Sequence, residues 1–164
     1  MKNETLLLIF GLIVFILIIF RKPINMAISR GYKNNNPGNI RLTFDDKGNK
    51  TFWQGEIEGK DKAFKTFKNM YYGYRAMFIT LSSYLKKGYN TIEKIINRYA
   101  PAEDNNVPEN YINVVVIRSG ISRNKVITDD DDLKKVIAAM SYVENGVTAD
   151  IDSINKGYKL FKII

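Results

Sequence analysis

The longest apolar run lies near the start of the chain. Leu6 to Phe20 reads LLLIFGLIVFILIIF, and Thr5 extends it to 16 uncharged residues between Glu4 and Arg21. As a helix it would rise about 24 Å, against roughly 30 Å of bilayer hydrocarbon. Lys2, Arg21 and Lys22 could snorkel to the interface and close the gap. The expectation is a single-pass membrane anchor over residues 1–23, with residues 5–20 in lipid. A cleaved signal peptide competes with it, although PINMA after the run is a poor cleavage site. A buried core helix is the third reading.

Beyond residue 23 the pattern is that of a folded domain. Ile40 to Phe44 alternates weakly, DDKGNK over 45–50 is a turn, and Thr51-Phe52-Trp53 resumes a strand. That is one short β-hairpin. Gly55 and Gly59 bracket another turn, Phe64 and Phe67 are spaced like one helical face, and Tyr71-Tyr72-Gly73 closes that piece. From Tyr74 the 3.6-residue period is clear, through Met77, Phe78, Leu81, Tyr84 and Leu85. Asn90 with Glu93 resembles a capping box for the next helix, whose stripe is Ile92, Ile95, Ile96 and Tyr99. Pro101 stops it. Pro108 opens a further helix with Tyr111, Ile112 and Val115 inward, closed by Gly120. A last strong helix follows four aspartates, and Ile154, Tyr158 and Phe161 suggest a tail packing back. The reading is an α+β domain, mainly α, over residues 24–150, with the tail at 151–164.

Composition narrows the chemistry. The chain has 164 residues and neither Cys nor His. Disulfides, thiolate catalysis and His-dependent triads are excluded, and a zinc site is disfavoured. Acid–base work would fall to carboxylates, Lys or Tyr. The net charge of +8 suits an anionic polymer, anionic lipid or nucleic acid, or simply solubility. No nucleic-acid-binding signature is present, so no specific nucleic acid is expected. The Asp129–Asp132 run reads as a helix N-terminus, with Thr128 or Asp129 as cap, rather than a metal site. No metal or cofactor is expected.

One acid stands out. Leu133, Ile137 and Met140 fall at i, i+4 and i+7, and the next member of the stripe is Glu144. A carboxyl on an apolar face loses hydration, and a helix C-terminus disfavours its charge, so its pKa should rise. Such a group suits general acid catalysis. The bland alternative is a frayed helix end with Glu144 in water. Asp45, Asp46, Glu56, Glu58, Glu103 and Asp104 read as turn or loop residues; Glu56 and Glu58 could line a cleft, and with Glu103 they are the rivals to Glu144. Trp53 and Tyr99 could stack on sugar faces, though aromatics at such positions are usually core.

The segment RGYKNNNPGNIR over 30–41 concentrates far more turn chemistry than a plain loop needs. It resembles the opening motif of a phage and prophage family of cell-wall-degrading, lysozyme-like proteins marked by NNPGNIR. Trp53-Gln54-Gly55, Tyr72-Gly73-Tyr74-Arg75-Ala76-Met77, Arg98-Tyr99-Ala100-Pro101, Tyr111-Ile112 and Glu144-Asn145-Gly146 resemble its later blocks in order. The resemblance covers roughly residues 28 to 150. It departs at Val143, where the family often has His, and at Asp104 in place of Glu.

The resemblance implies a lysozyme-like domain, with its order permuted so that the loop precedes the glutamate helix. It also implies hydrolysis or lytic transglycosylation of the peptidoglycan strand between N-acetylmuramic acid and N-acetylglucosamine. Glu144 is then the expected acid. Asn35, Asn36, Asn39, Trp53 and Tyr99 are the expected substrate-binding residues, with Asn39 or Tyr99 orienting. The expected partners are peptidoglycan, a lipid membrane and virion proteins. The expected location is a virion or host membrane, with the domain facing the wall. The alternative is a virion structural or wall-binding protein without turnover.

Overall fold

The computed structural model describes residues 28–102 and 107–163. Six helices and two small antiparallel hairpins make up the described residues. A one-turn helix α1 (Arg30–Lys33) leads into the asparagine-rich loop. The first hairpin pairs β1 (Thr43–Phe44) with β2 (Lys50–Thr51), and the second pairs β3 (Glu56–Ile57) with β4 (Thr66–Phe67). Then follow α2 (Met70–Lys86), α3 (Ile92–Tyr99), α4 (Pro108–Ser119), α5 (Asp130–Asn145) and α6 (Ile151–Lys162).

The helices form where the apolar period is regular. The buried stripe of α2 is Tyr74, Met77, Phe78 and Leu81, and those of α3, α4 and α5 supply Ile95, Ile96, Ile112, Val115, Val136, Ile137 and Met140. Burying each such side chain is worth about 1.5–3 kcal/mol. Helix α6 lies along α2, with Ile154 buried and Tyr158 and Phe161 against Phe78. Caps fix the boundaries. The Asp129 side chain accepts from the Asp132 amide at 2.8 Å to start α5, and Gly146, at φ 69°, ends it. Thr91, one residue later than the expected Asn90, caps α3. Asp132 pairs with Lys125 instead of joining its neighbours around an ion, and no metal-ligand cluster occurs among the described residues.

Several expectations are corrected here. The expected fold, a lysozyme-like α+β domain with a single hairpin behind a transmembrane helix, gives way to a mixed helical fold with two hairpins. The second hairpin takes in Thr66–Phe67, while Phe64 forms an isolated bridge with Arg41, so Phe64 and Phe67 are not a helical face. The strand was hidden because its inward place beside Phe67 is held by Lys65, which is completely buried. The expected membrane-anchored location is likewise corrected: among the described residues, no helix is long and apolar enough to cross a membrane. The 17-residue α2 is the longest of them, and its apolar positions form a stripe rather than a full circumference. The segment predicted as anchor, residues 5–20, lies outside the described residues.

Helix α2 also starts earlier than predicted. Tyr71, Tyr72 and Gly73 belong to it, and Gly73 is there for clearance. A Cβ at Gly73 would lie 2.1 Å from the Asn35 carbonyl oxygen and 2.4 Å from Pro37 Cδ. The asparagine-rich loop therefore rests directly on the backbone of α2.

Candidate active site

The turn residues of NNNPGNIR each have a separate task. Asn35 and Asn39 adopt left-handed φ values of 49° and 47°, which asparagine tolerates better than other side-chain-bearing residues. Asn36 is completely buried. Its amide nitrogen donates to the carbonyls of Ile40 and Lys65 at 2.9 and 2.8 Å, and its oxygen accepts from the Ile40 amide at 2.8 Å. The Asn35 amide donates to the Phe67 carbonyl at 3.0 Å, and Asn34 donates to Asp61 at 2.8 Å. Asp61 also accepts both guanidinium bonds from Arg30, which with the backbone amides of Ala63 and Phe64 holds its carboxyl well below the usual range. The loop is thus pinned to the second hairpin at several points.

From the other side, the end of α5 grips the same loop. Asn145 donates to the Pro37 carbonyl at 2.8 Å and accepts from the Ser29 hydroxyl at 2.7 Å. This brings Glu144 to Asn39. The Asn39 amide nitrogen donates to Glu144 Oε2 at 2.8 Å, and the Tyr111 hydroxyl, from α4, donates to Oε1 at 2.9 Å. Glu144 continues the stripe of Leu133, Ile137 and Met140, half-buried. Desolvation raises its pKa, and the two hydrogen bonds offset that only in part.

Glu144 opens into a cavity of about 160 Å³ with Gly38, Asn39, Arg41, Phe64, Tyr99 and Ala100. A larger cavity of about 430 Å³ shares Asn39, Arg41 and Tyr99 with it and runs on past Thr43, Trp53, Ser83 and Tyr84. The two cavities adjoin at these shared residues, and together they make up the cleft beside the first hairpin, α2 and α3. Tyr99 forms its waist: its hydroxyl donates to the Gly38 carbonyl, and burial holds its pKa well above the phenol range. Among the described residues, Glu144 is the one carboxylate that lines either cavity.

Of the residues predicted to contact substrate, Asn39, Trp53 and Tyr99 line the cleft. Asn35 and Asn36 do not; both spend their amides on backbone carbonyls, and Asn36 has no surface to offer a ligand. Glu56 is withdrawn too, in a fully buried pair with Lys65 at 2.7 Å, and Glu58 is exposed beside Lys50. Glu103 and Asp104 lie outside the described residues. Sequence reasoning missed Tyr111 as a partner of Glu144. The available signal was a tyrosine in an inward position, where its hydroxyl needs a partner.

No family model matches the sequence. Among curated proteins, Protein P5 of Pseudoalteromonas phage PM2 is 41% identical over 144 residues, covering 86% of this chain and 86% of that protein.

Proposed function

The chain belongs to the family of Protein P5 of Pseudoalteromonas phage PM2, and from that premise we propose that it cleaves the glycan strand of bacterial peptidoglycan, with Glu144 as general acid. A phage must breach its host's wall, and the NNNPGNIR resemblance points to the same polymer. The observation that carries the reading is the setting of Glu144: a desolvated carboxyl on a rigid helix end, open to a cleft and held by two neutral donors. A raised pKa keeps more of the acid protonated near neutral pH, as a group that must protonate a glycosidic oxygen requires. The cleft's Trp53 and Tyr84 offer flat apolar surfaces for sugar rings, and the net charge of +8 suits an anionic wall polymer.

The chemistry follows from one carboxyl. Glu144 gives its proton to the bridging oxygen as the bond from C1 breaks, and the resulting carboxylate then acts as base. In a lytic transglycosylase it takes the proton of the muramic C6 hydroxyl as O6 attacks C1, closing a 1,6-anhydro ring. In a muramidase it takes a proton from water as the water oxygen attacks C1, leaving a reducing end. Two-carboxylate glycosidases place the second group about 5 Å away for retention or further for inversion. The single carboxylate lining the cleft, among the described residues, favours the transglycosylase form.

Incubation of the full chain with purified peptidoglycan, followed by mass spectrometry of the soluble fragments, tests the reading. Anhydro-muropeptides are expected; reducing-end fragments would assign a muramidase. Folded protein that pellets with the wall and releases nothing would replace the enzyme with a wall-binding phage protein.

A further inference from the structure

The two oxygens of Glu144 are not equivalent. Oε2 accepts from the Asn39 amide nitrogen, and Oε1 from the Tyr111 hydroxyl. An amide nitrogen only donates, whereas a phenol hydroxyl donates or accepts. A proton on Oε2 would confront the hydrogens of the Asn39 amide. A proton on Oε1 meets a hydroxyl that can turn and accept it. Asn39 makes its bond at a cost, because its own Oδ1 is buried without a partner. We infer that Tyr111 is a positioning residue that holds Oε1 and, as donor to the carboxylate, governs how readily Glu144 gives up its proton, while Asn39 fixes Oε2.

This rests on the reading of Glu144 as the acid. Among the described residues, the groups around the carboxyl are Tyr111 from α4, Tyr99 from α3, and Asn39 and Arg41 from the loop and the residues after it. Burial holds both phenols well above the usual range, so they stay neutral where Glu144 titrates. A hydroxyl that donates to Oε1 favours the carboxylate over the protonated acid, and so lowers the pKa of Glu144. Losing it must push the carboxyl's pKa further up, and strengthening it must bring the pKa down.

The test uses the full chain with Tyr111→Phe and, separately, with 3-fluorotyrosine placed at position 111. The fluorinated phenol is nearly isosteric and a stronger donor, so it keeps the test alive if the Phe variant folds poorly. Two readouts are taken: the pH profile of peptidoglycan cleavage, and the titration of Glu144 followed by carbon-13 NMR of labelled glutamate carboxyls, assigned with Glu144→Gln. The expected result is a high-pH limb displaced upward in Tyr111→Phe and downward with 3-fluorotyrosine. kcat should fall on the order of tenfold in Tyr111→Phe, with KM within about twofold. The NMR titration should move in the same directions. Unmoved limbs and titrations in both proteins would overturn the Tyr111 assignment. If wild type and Glu144→Gln cleave equally, the proposed acid falls instead, and the NMR titration still decides whether Tyr111 governs the carboxyl.

Discussion

Glu144 continues an apolar stripe, where a carboxyl is costly to hold. Its charged form loses hydration that two neutral donors only partly replace, so its folded-state pKa is raised above the ordinary 4.5. A raised carboxyl contributes stability that is fully present below its unfolded pKa and lost as pH rises through the folded value. Glutamine can reproduce the protonated form, its oxygen accepting from Asn39 and its amide donating to Tyr111. Glu144→Gln should therefore raise Tm at pH 7 while abolishing cleavage, and the gain should vanish below the ordinary carboxyl range. Thermal melts at pH 7 and at low pH check this; a Tm lowered at pH 7 would contradict the description of the carboxyl. Asp61 should behave in the opposite sense. Its pKa is depressed by Arg30 and its amide donors, so its stabilisation is present above the unfolded value and lost as pH falls. Asp61→Asn is expected to lower the urea midpoint at pH 7 and to leave it nearly unchanged in strong acid. Equal losses at both pH values would count against the ion pair as the cause. The position of Glu144 was legible from its place in an apolar stripe. The task of Asn36 was not, since an asparagine in a turn reads the same whether it faces a ligand or, as here, satisfies buried backbone groups.

At the scale of elements, the site is a junction between the motif loop and the C-terminal end of α5. The loop is seated on α2 and the second hairpin, and the helix end grips the loop, so strain in the seating should reach the chemistry. Gly73→Ala would drive a Cβ into the Asn35 carbonyl and Pro37. The expected cost is about 1–3 kcal/mol, as for overpacking in general, together with reduced cleavage as Asn39 shifts from Glu144. Denaturant unfolding and the cleavage assay measure the two effects; a variant unchanged in both would mean the loop is not held against α2. The helices themselves were legible because their apolar positions recur at helical spacing and their ends carry caps. The start of α2 was not, because Tyr71-Tyr72-Gly73 reads as a break until the loop that needs the glycine is seen. Tyr111 was placed correctly in an inward stripe, yet its partner lies on a helix 33 residues away, beyond the reach of local pattern.

At the scale of the molecule, the second hairpin is organised around a buried charge pair. Lys65 Nζ donates to Glu56 at 2.7 Å and to the Thr51 carbonyl at 3.0 Å, and lies 5.2 Å from the centre of the Trp53 ring. It ties both hairpins to the wall of the cleft. Removing one partner strands the other, so Lys65→Met should cost about 3–5 kcal/mol, and adding Glu56→Met should recover part of that loss. Equal stability of single and double variants would contradict the pairing. Buried lysine is why the pattern of apolar positions concealed this strand, and with it half of the β-structure. The central claim remains chemical: a phage protein whose one cleft-lining carboxylate, among the described residues, cuts glycan. The most direct measurement is a paired digest of purified peptidoglycan by the full-length wild type and Glu144→Gln, with soluble fragments identified by mass spectrometry and binding followed by pelleting. Anhydro-muropeptides are expected from the wild type, with a loss on the order of 100-fold or more in the variant and equal pelleting of the two. Equal release by both proteins, or none by a folded wild type, would contradict the claim.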